Sequence, residues 1–75
     1  MKYSRVLEIQ RVVHTIHLDS RSFISIHTGG LSNYIAEVYP FQVSWILEAS
    51  DDDSAIKEGR ARAYKWLANL LNRAR

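Results

Sequence analysis

Cysteine is absent from this chain and proline occurs once. Without a thiol there is no disulfide framework, no thiolate zinc site and no cysteine nucleophile, so packing alone has to hold the fold and a reducing, cytoplasmic compartment is the expectation. Glycine occurs only three times, which excludes collagen-like repeats and flexible linkers. Long apolar runs are missing too. None approaches the roughly 20 residues that a membrane span needs, and Met1–Arg5 is not followed by an apolar signal core, so neither a membrane nor a targeting segment is expected. What is present, 47% hydrophobic and 24% charged residues over 75 positions, is the composition of a globular chain. A chain of this length forms one domain, residues 1–75, whose folding removes roughly 60% of the accessible surface.

The formal net charge is only +2, but it is unevenly spread. Positions 56–75 hold Lys57, Arg60, Arg62, Lys65, Arg73 and Arg75 against the single acid Glu58, and the acidic run Asp51-Asp52-Asp53 lies just before them. A dipolar segment of this kind attracts polyanions less strongly than a uniformly basic face.

The spacing of Val6, Ile9, Val13 and Ile16 predicts a first helix over Val6–Ile16 with Ser4 as its N-cap, since the Val12-Val13 doublet breaks the alternation of a strand. Asp19–Ser22 is a polar break, after which Phe23–His27 alternates as a first strand. Thr28-Gly29-Gly30 and Ser32-Asn33 supply a hairpin loop into a second strand, Tyr34–Tyr39. Pro40 cannot donate to a ladder, so a turn follows it before a third strand over Phe41–Glu48. A helix capped by Ser50 or an aspartate of the run completes the chain. Its apolar arc holds Ile56, Gly59, Ala63, Trp66, Leu67, Leu70 and Leu71. The expected fold class is α+β, ordered helix, three-stranded antiparallel sheet, helix (αβββα), with both helices on one sheet face.

That arrangement leaves the other sheet face open. With Ile24, Ile26, Tyr34, Ala36, Val38, Phe41, Val43, Trp45 and Leu47 turned inward, the outward set contains Phe23, His27, Ile35, Glu37, Tyr39 and Ile46, and Glu37 selects this register because the opposite one buries it. The apolar and aromatic members form an exposed patch of the kind that marks a partner site, and these six residues are the candidate contact surface.

Sites of chemistry are weakly signalled. His14 and His17 stand three residues apart, but the HExxH pattern and a third ligand with motif spacing are missing. Asp51–Asp53 lacks the alternating ligands, glycine and distal glutamate of a calcium loop and is better read as helix capping. No GxSxG elbow or Walker loop occurs, and no cofactor or metal is expected; the expectation is a protein that is not an enzyme.

Two resemblances bear on function. The helix, three strands, helix order is similar to the double-stranded-RNA-binding domain, and Ser54-Ala55-Ile56-Lys57-Glu58-Gly59-Arg60-Ala61-Arg62-Ala63 resembles the start of that family's second helix; this implies a nucleic-acid module using Lys57, Arg60, Arg62, Lys65 and Arg73. The whole chain, with its size, its lack of cysteines and catalytic motifs, and the phrase Phe23-Ile24-Ser25-Ile26-His27-Thr28-Gly29-Gly30, resembles short α+β proteins carried by bacteriophages and mobile elements, including anti-CRISPR proteins. This second resemblance implies an inhibitor that occludes a host protein or ribonucleoprotein complex, with self-association through the open sheet face as a further expectation.

Overall fold

The computed structural model of the chain describes residues 11–29 and 33–74. Four strands, β1 (Arg11–His17), β2 (Phe23–Thr28), β3 (Tyr34–Tyr39) and β4 (Val43–Ile46), form an antiparallel sheet in chain order. One long helix, α1 (Asp52–Ala74), follows. The α+β class is as expected, but the described residues hold four strands and one helix.

The difference lies at β1, where a helix was expected to run to Ile16. The expected helix start and its Ser4 cap lie outside the described residues. Arg11–His17 is rich in β-branched side chains, and such residues favour a pleated, half-buried surface. The Val12-Val13 doublet that spoke against a strand is a β-bulge: Val12 pairs with His27 and His14 with Ile26, so Val13 is the additional residue. Val13 and Ile16 turn toward the core, whereas Val12 is 53% exposed. The bulge also blunts an edge strand that would otherwise be a template for further pairing.

β2 and β3 are the centre of the sheet and pair in register from Phe23–Tyr39 to Thr28–Tyr34. The reversal after β3 contains Pro40, whose preceding peptide bond is cis, and Gln42 with a φ of 61°. β4 is shorter than expected and starts only at Val43, because the Gln42 amide donates to the Val38 carbonyl and closes the turn.

Asp51 caps α1 by accepting the Ser54 amide at 2.8 Å on its carboxylate. The helix lies on one sheet face, where Ile24, Ile26, Ala36, Val38 and Leu47 are buried against Ala55 and Ala63. Ala55, Gly59 and Ala63 fall one turn apart and are all buried, so a stripe of small residues lets the helix axis approach the strands closely. Glu58 fastens the chain between β4 and α1, accepting the amides of Glu48 and Ala49 at 3.0–3.1 Å.

A helix of 23 residues is about 34 Å long, whereas a strand of six spans about 20 Å. Helix and sheet therefore cannot match in length. Burial ends at Ala63; Trp66 and Leu67 are half-buried, and residues 68–73 are all exposed. Leu70 and Leu71, expected to be apolar contacts, are 40% and 66% exposed for this reason.

Candidate functional site

The expected open sheet face is not open at its centre. The alternation was read in the right register, since Ser25, His27, Ile35 and Glu37 do point away from α1, yet His27, Ile35 and Glu37 are only 0%, 2% and 6% exposed. These three are corrected from accessible contacts to residues buried within the chain. Phe23 and Tyr39 are half-buried and stack on each other at 4.8 Å, and of the six residues only Ile46 is well exposed. They do not make one accessible patch.

Glu37 is buried because its carboxylate has a partner. Tyr39 donates its hydroxyl to Glu37 Oε1 at 2.8 Å, and burial together with that carboxylate pushes the Tyr39 phenol up to about 12, so it remains a donor at neutral pH. Nδ1 of His27 lies 3.1 Å from the Ser25 hydroxyl. His27 Nε2 is buried with no partner among the described residues, and burial holds the imidazole below its ordinary pKa, opposed by the Glu37 charge. The cluster contains a serine, a histidine and a carboxylate, but Ser25 is 4% exposed, so the arrangement presents no accessible nucleophile. It orders the sheet.

The aspartate run is likewise occupied. Asp51 caps α1, and Asp52 accepts both guanidinium nitrogens of Arg11 at 3.1–3.2 Å and the Tyr34 hydroxyl at 2.6 Å. These contacts hold both carboxyls below their ordinary value: chiefly the Ser54 amide for Asp51, and Arg11 then Tyr34 for Asp52. Among the described residues no three His, Asp or Glu side chains gather as metal ligands; His14 and His17 are both exposed on β1.

An accessible constellation lies where the helix overhangs the sheet. Trp45 on β4 and Trp66 on α1 meet edge to face at 6.5 Å, and Phe41 in the turn before β4 tilts against Trp66 at 5.5 Å. Trp45 and Trp66 are half-buried and Phe41 is 52% exposed, which corrects the expectation that Trp45 and Phe41 are core residues. Strand alternation does point Trp45 toward the helix side, but β4 is an edge strand of the described sheet, where Trp45 meets α1 through Trp66. The two tryptophans, with Arg62, Lys65 and Asn69, line a cleft of about 200 Å³. An adjoining hollow of about 100 Å³ is lined by Trp66, Asn69, Leu70 and Arg73.

Arg62, Lys65, Asn69 and Arg73 share one flank of α1 because they recur at helical spacing, i, i+3, i+7 and i+11. Arg62 is drawn toward Glu58 at 3.6 Å; Lys65 and Arg73 have no ion pair among the described residues. Lys57 and Arg60, grouped with them in the sequence, are exposed but line neither hollow. The basic segment is therefore split by the helix into a flank beside the tryptophans and two residues elsewhere.

No family model matches the chain, and no curated protein or solved structure does either. Among the described residues four strands rather than three precede the final helix, so the three-strand order on which the likeness to a double-stranded-RNA-binding domain rested is not the one observed. Among the described residues no helix is long and apolar enough to cross a membrane.

Proposed function

We propose that this protein acts by binding, covering a surface of a larger macromolecule without chemistry of its own, and that the contact surface is the overhanging end of the molecule rather than the second sheet face. The observation that carries this reading is the mismatch between α1 and the sheet, which leaves Leu70 exposed beside Trp66 and Arg73, with Lys65 in the adjoining cleft. Exposed apolar side chains rimmed by cations and half-buried aromatics have the composition of an interface centre, where aromatic residues contribute most of the binding energy. The target class within this proposal is a host protein or ribonucleoprotein complex, as for the phage-borne inhibitors of the anti-CRISPR type that the whole chain resembles.

Affinity capture from a bacterial lysate tests it with matched baits. A macromolecule retained by the parent is expected to be lost by Lys65→Glu with Leu70→Ser and kept by Ile46→Ser, which alters an exposed apolar residue of the sheet. Retention that is lost only on Ile46→Ser returns the contact surface to the sheet.

A further inference from the structure

We infer that the cleft between Trp45 and Trp66 is a site for single-stranded nucleic acid, with bases stacking on the exposed ring surfaces and phosphates running along the Arg62–Lys65–Asn69–Arg73 flank. The inference rests on the contact surface just proposed and, of the two target classes given there, takes the ribonucleoprotein, whose unpaired strand is the group this cleft would engage.

Three observations converge on that ligand. Aromatic rings alone suit any apolar partner and cations alone suit any polyanion, but Trp45 and Trp66 line adjoining hollows together with Arg62, Lys65 and Arg73, and Phe41 tilts against Trp66 beside them. That combination is the recognition mode of unpaired strands, whose bases offer free π-faces and whose backbone offers regularly placed charge. A duplex hides its base faces in the stack, and an acidic peptide has no planar faces to offer. Asn69, between the cations, adds donors and acceptors for a base edge or a sugar.

Two of the three aspartates at the start of the helix are already matched, and the run is distant from the flank. Asp52 is matched by Arg11 and Tyr34, and Asp51 by the start of the helix. Lys65 is 13 residues from Asp52, or about 20 Å along the helix axis. That separation is more than twice the screening length of roughly 8 Å at physiological ionic strength. The length of the helix thus holds the acidic run apart from Lys65 and Arg73, and the acid beside this flank, Glu58, draws only Arg62.

The chain has two tryptophans and both line this cleft, so intrinsic fluorescence reports on the site directly. The experiment is a titration of the full chain with oligothymidylate and oligouridylate of about ten nucleotides, within the usual size of single-strand sites. A duplex and a polyglutamate of similar length serve as comparators. Both single strands are expected to quench the tryptophans, with log K falling by roughly 2 per decade of salt if three cations engage phosphates at about 0.7 each. Preference between the two strands tells DNA from RNA. Lys65→Glu with Arg73→Glu is expected to weaken binding at least about tenfold, the loss of two phosphate contacts. Lys57→Glu with Arg60→Glu, which changes net charge equally on other sides of the helix, is expected to leave it within a few-fold. Phe41→Ala should weaken binding about fivefold or more by removing a stacking ring, with circular dichroism showing that the fold persists.

Absence of quenching, equal binding of polyglutamate, preference for the duplex, or equal effects of the two charge-reversal pairs overturns the inference. If the strands fail to bind while affinity capture still depends on Lys65 and Leu70, the contact surface stands and its occupant is a protein.

Discussion

Gly59 packs directly against Ile26: a Cβ on Gly59 would stand 3.0 Å from both Cδ1 and Cγ1 of Ile26, and 3.1 Å from the Cβ of Ala36. Ile26 and Ala36 are both fully buried, so neither has free space to withdraw into. Alanine in mid-helix gains about 1 kcal/mol over glycine in propensity, whereas overpacking a core costs about 1–3 kcal/mol. Gly59→Ala is expected to lose on balance, by about 1 kcal/mol in urea denaturation. A stabilised variant would show that the helix can lift from the sheet without loss.

Trp45 and Ile26 separate the rim from the core. Ile26→Ala removes a fully buried side chain and is expected to cost about 3 kcal/mol, within the 2–5 kcal/mol range for such truncations. Trp45 is half-buried on an edge strand, so Trp45→Ala forfeits only part of the 3–5 kcal/mol typical of a buried tryptophan, about 2 kcal/mol. A domain of this size has on the order of 4–11 kcal/mol of stability. Trp45→Ala should therefore remain folded with a lowered melting temperature, which thermal circular dichroism checks. Unfolding of the variant at room temperature would put Trp45 in the core.

His27 makes stability depend on pH. Burial disfavours its charged form and lowers its pKa from the ordinary 6.5, so below that value the unfolded chain takes up a proton that the folded chain resists. Stability is complete above about pH 6.5 and declines as pH falls toward the folded-state pKa. Asp19, Asp51 and Asp52, held below their ordinary 3.8 by hydrogen bonds and, for Asp52, Arg11, lose their contribution only at lower pH. Urea midpoints taken between pH 8 and pH 5 are expected to fall in the parent and to stay level in His27→Asn. A parent curve that is flat over this interval would contradict the burial of the imidazole.

The three aspartates are predicted to be unequal. Asp51→Ala removes the cap of α1, and Asp52→Ala removes a side chain bonded to both Arg11 and Tyr34, so both should lower the melting temperature at neutral pH. Asp53→Ala, with no hydrogen bond or ion pair on its side chain among the described residues, should change it least. For Asp52 the effect is expected to shrink as pH falls below the ordinary carboxylate range and through the lowered folded-state pKa, where protonation removes the Arg11 pair from the parent. A loss with Asp53→Ala as large as the other two would show that negative charge at the helix start, rather than these particular hydrogen bonds, carries the effect.

The sequence by itself determined the elements whose signals are local. Alternation set Tyr34–Tyr39 to its observed limits and turned Ile24, Ile26, Ala36 and Val38 inward, and the acidic cap with helical periodicity marked α1. These features arise from neighbouring residues, so a one-dimensional reading reaches them. The tertiary structure decided the rest. At Arg11–His17 the pairing of Val12 with His27 and His14 with Ile26 makes a strand with a bulge out of a segment whose spacing suits a helix, and only the edge of β2 supplies the hydrogen bonds that settle it. Glu37 looked like an outward marker because an unpartnered carboxylate is costly to bury; the Tyr39 hydroxyl, two residues along the same strand, removes that cost. The cleft at Trp45 and Trp66 depends on where the sheet ends beneath α1. Helix length against strand length already requires an overhang, but which rings and which cations meet there is fixed by the packing of Gly59 on Ile26, which sets the helix on the sheet and leaves Lys65 and Arg73 beside the tryptophans.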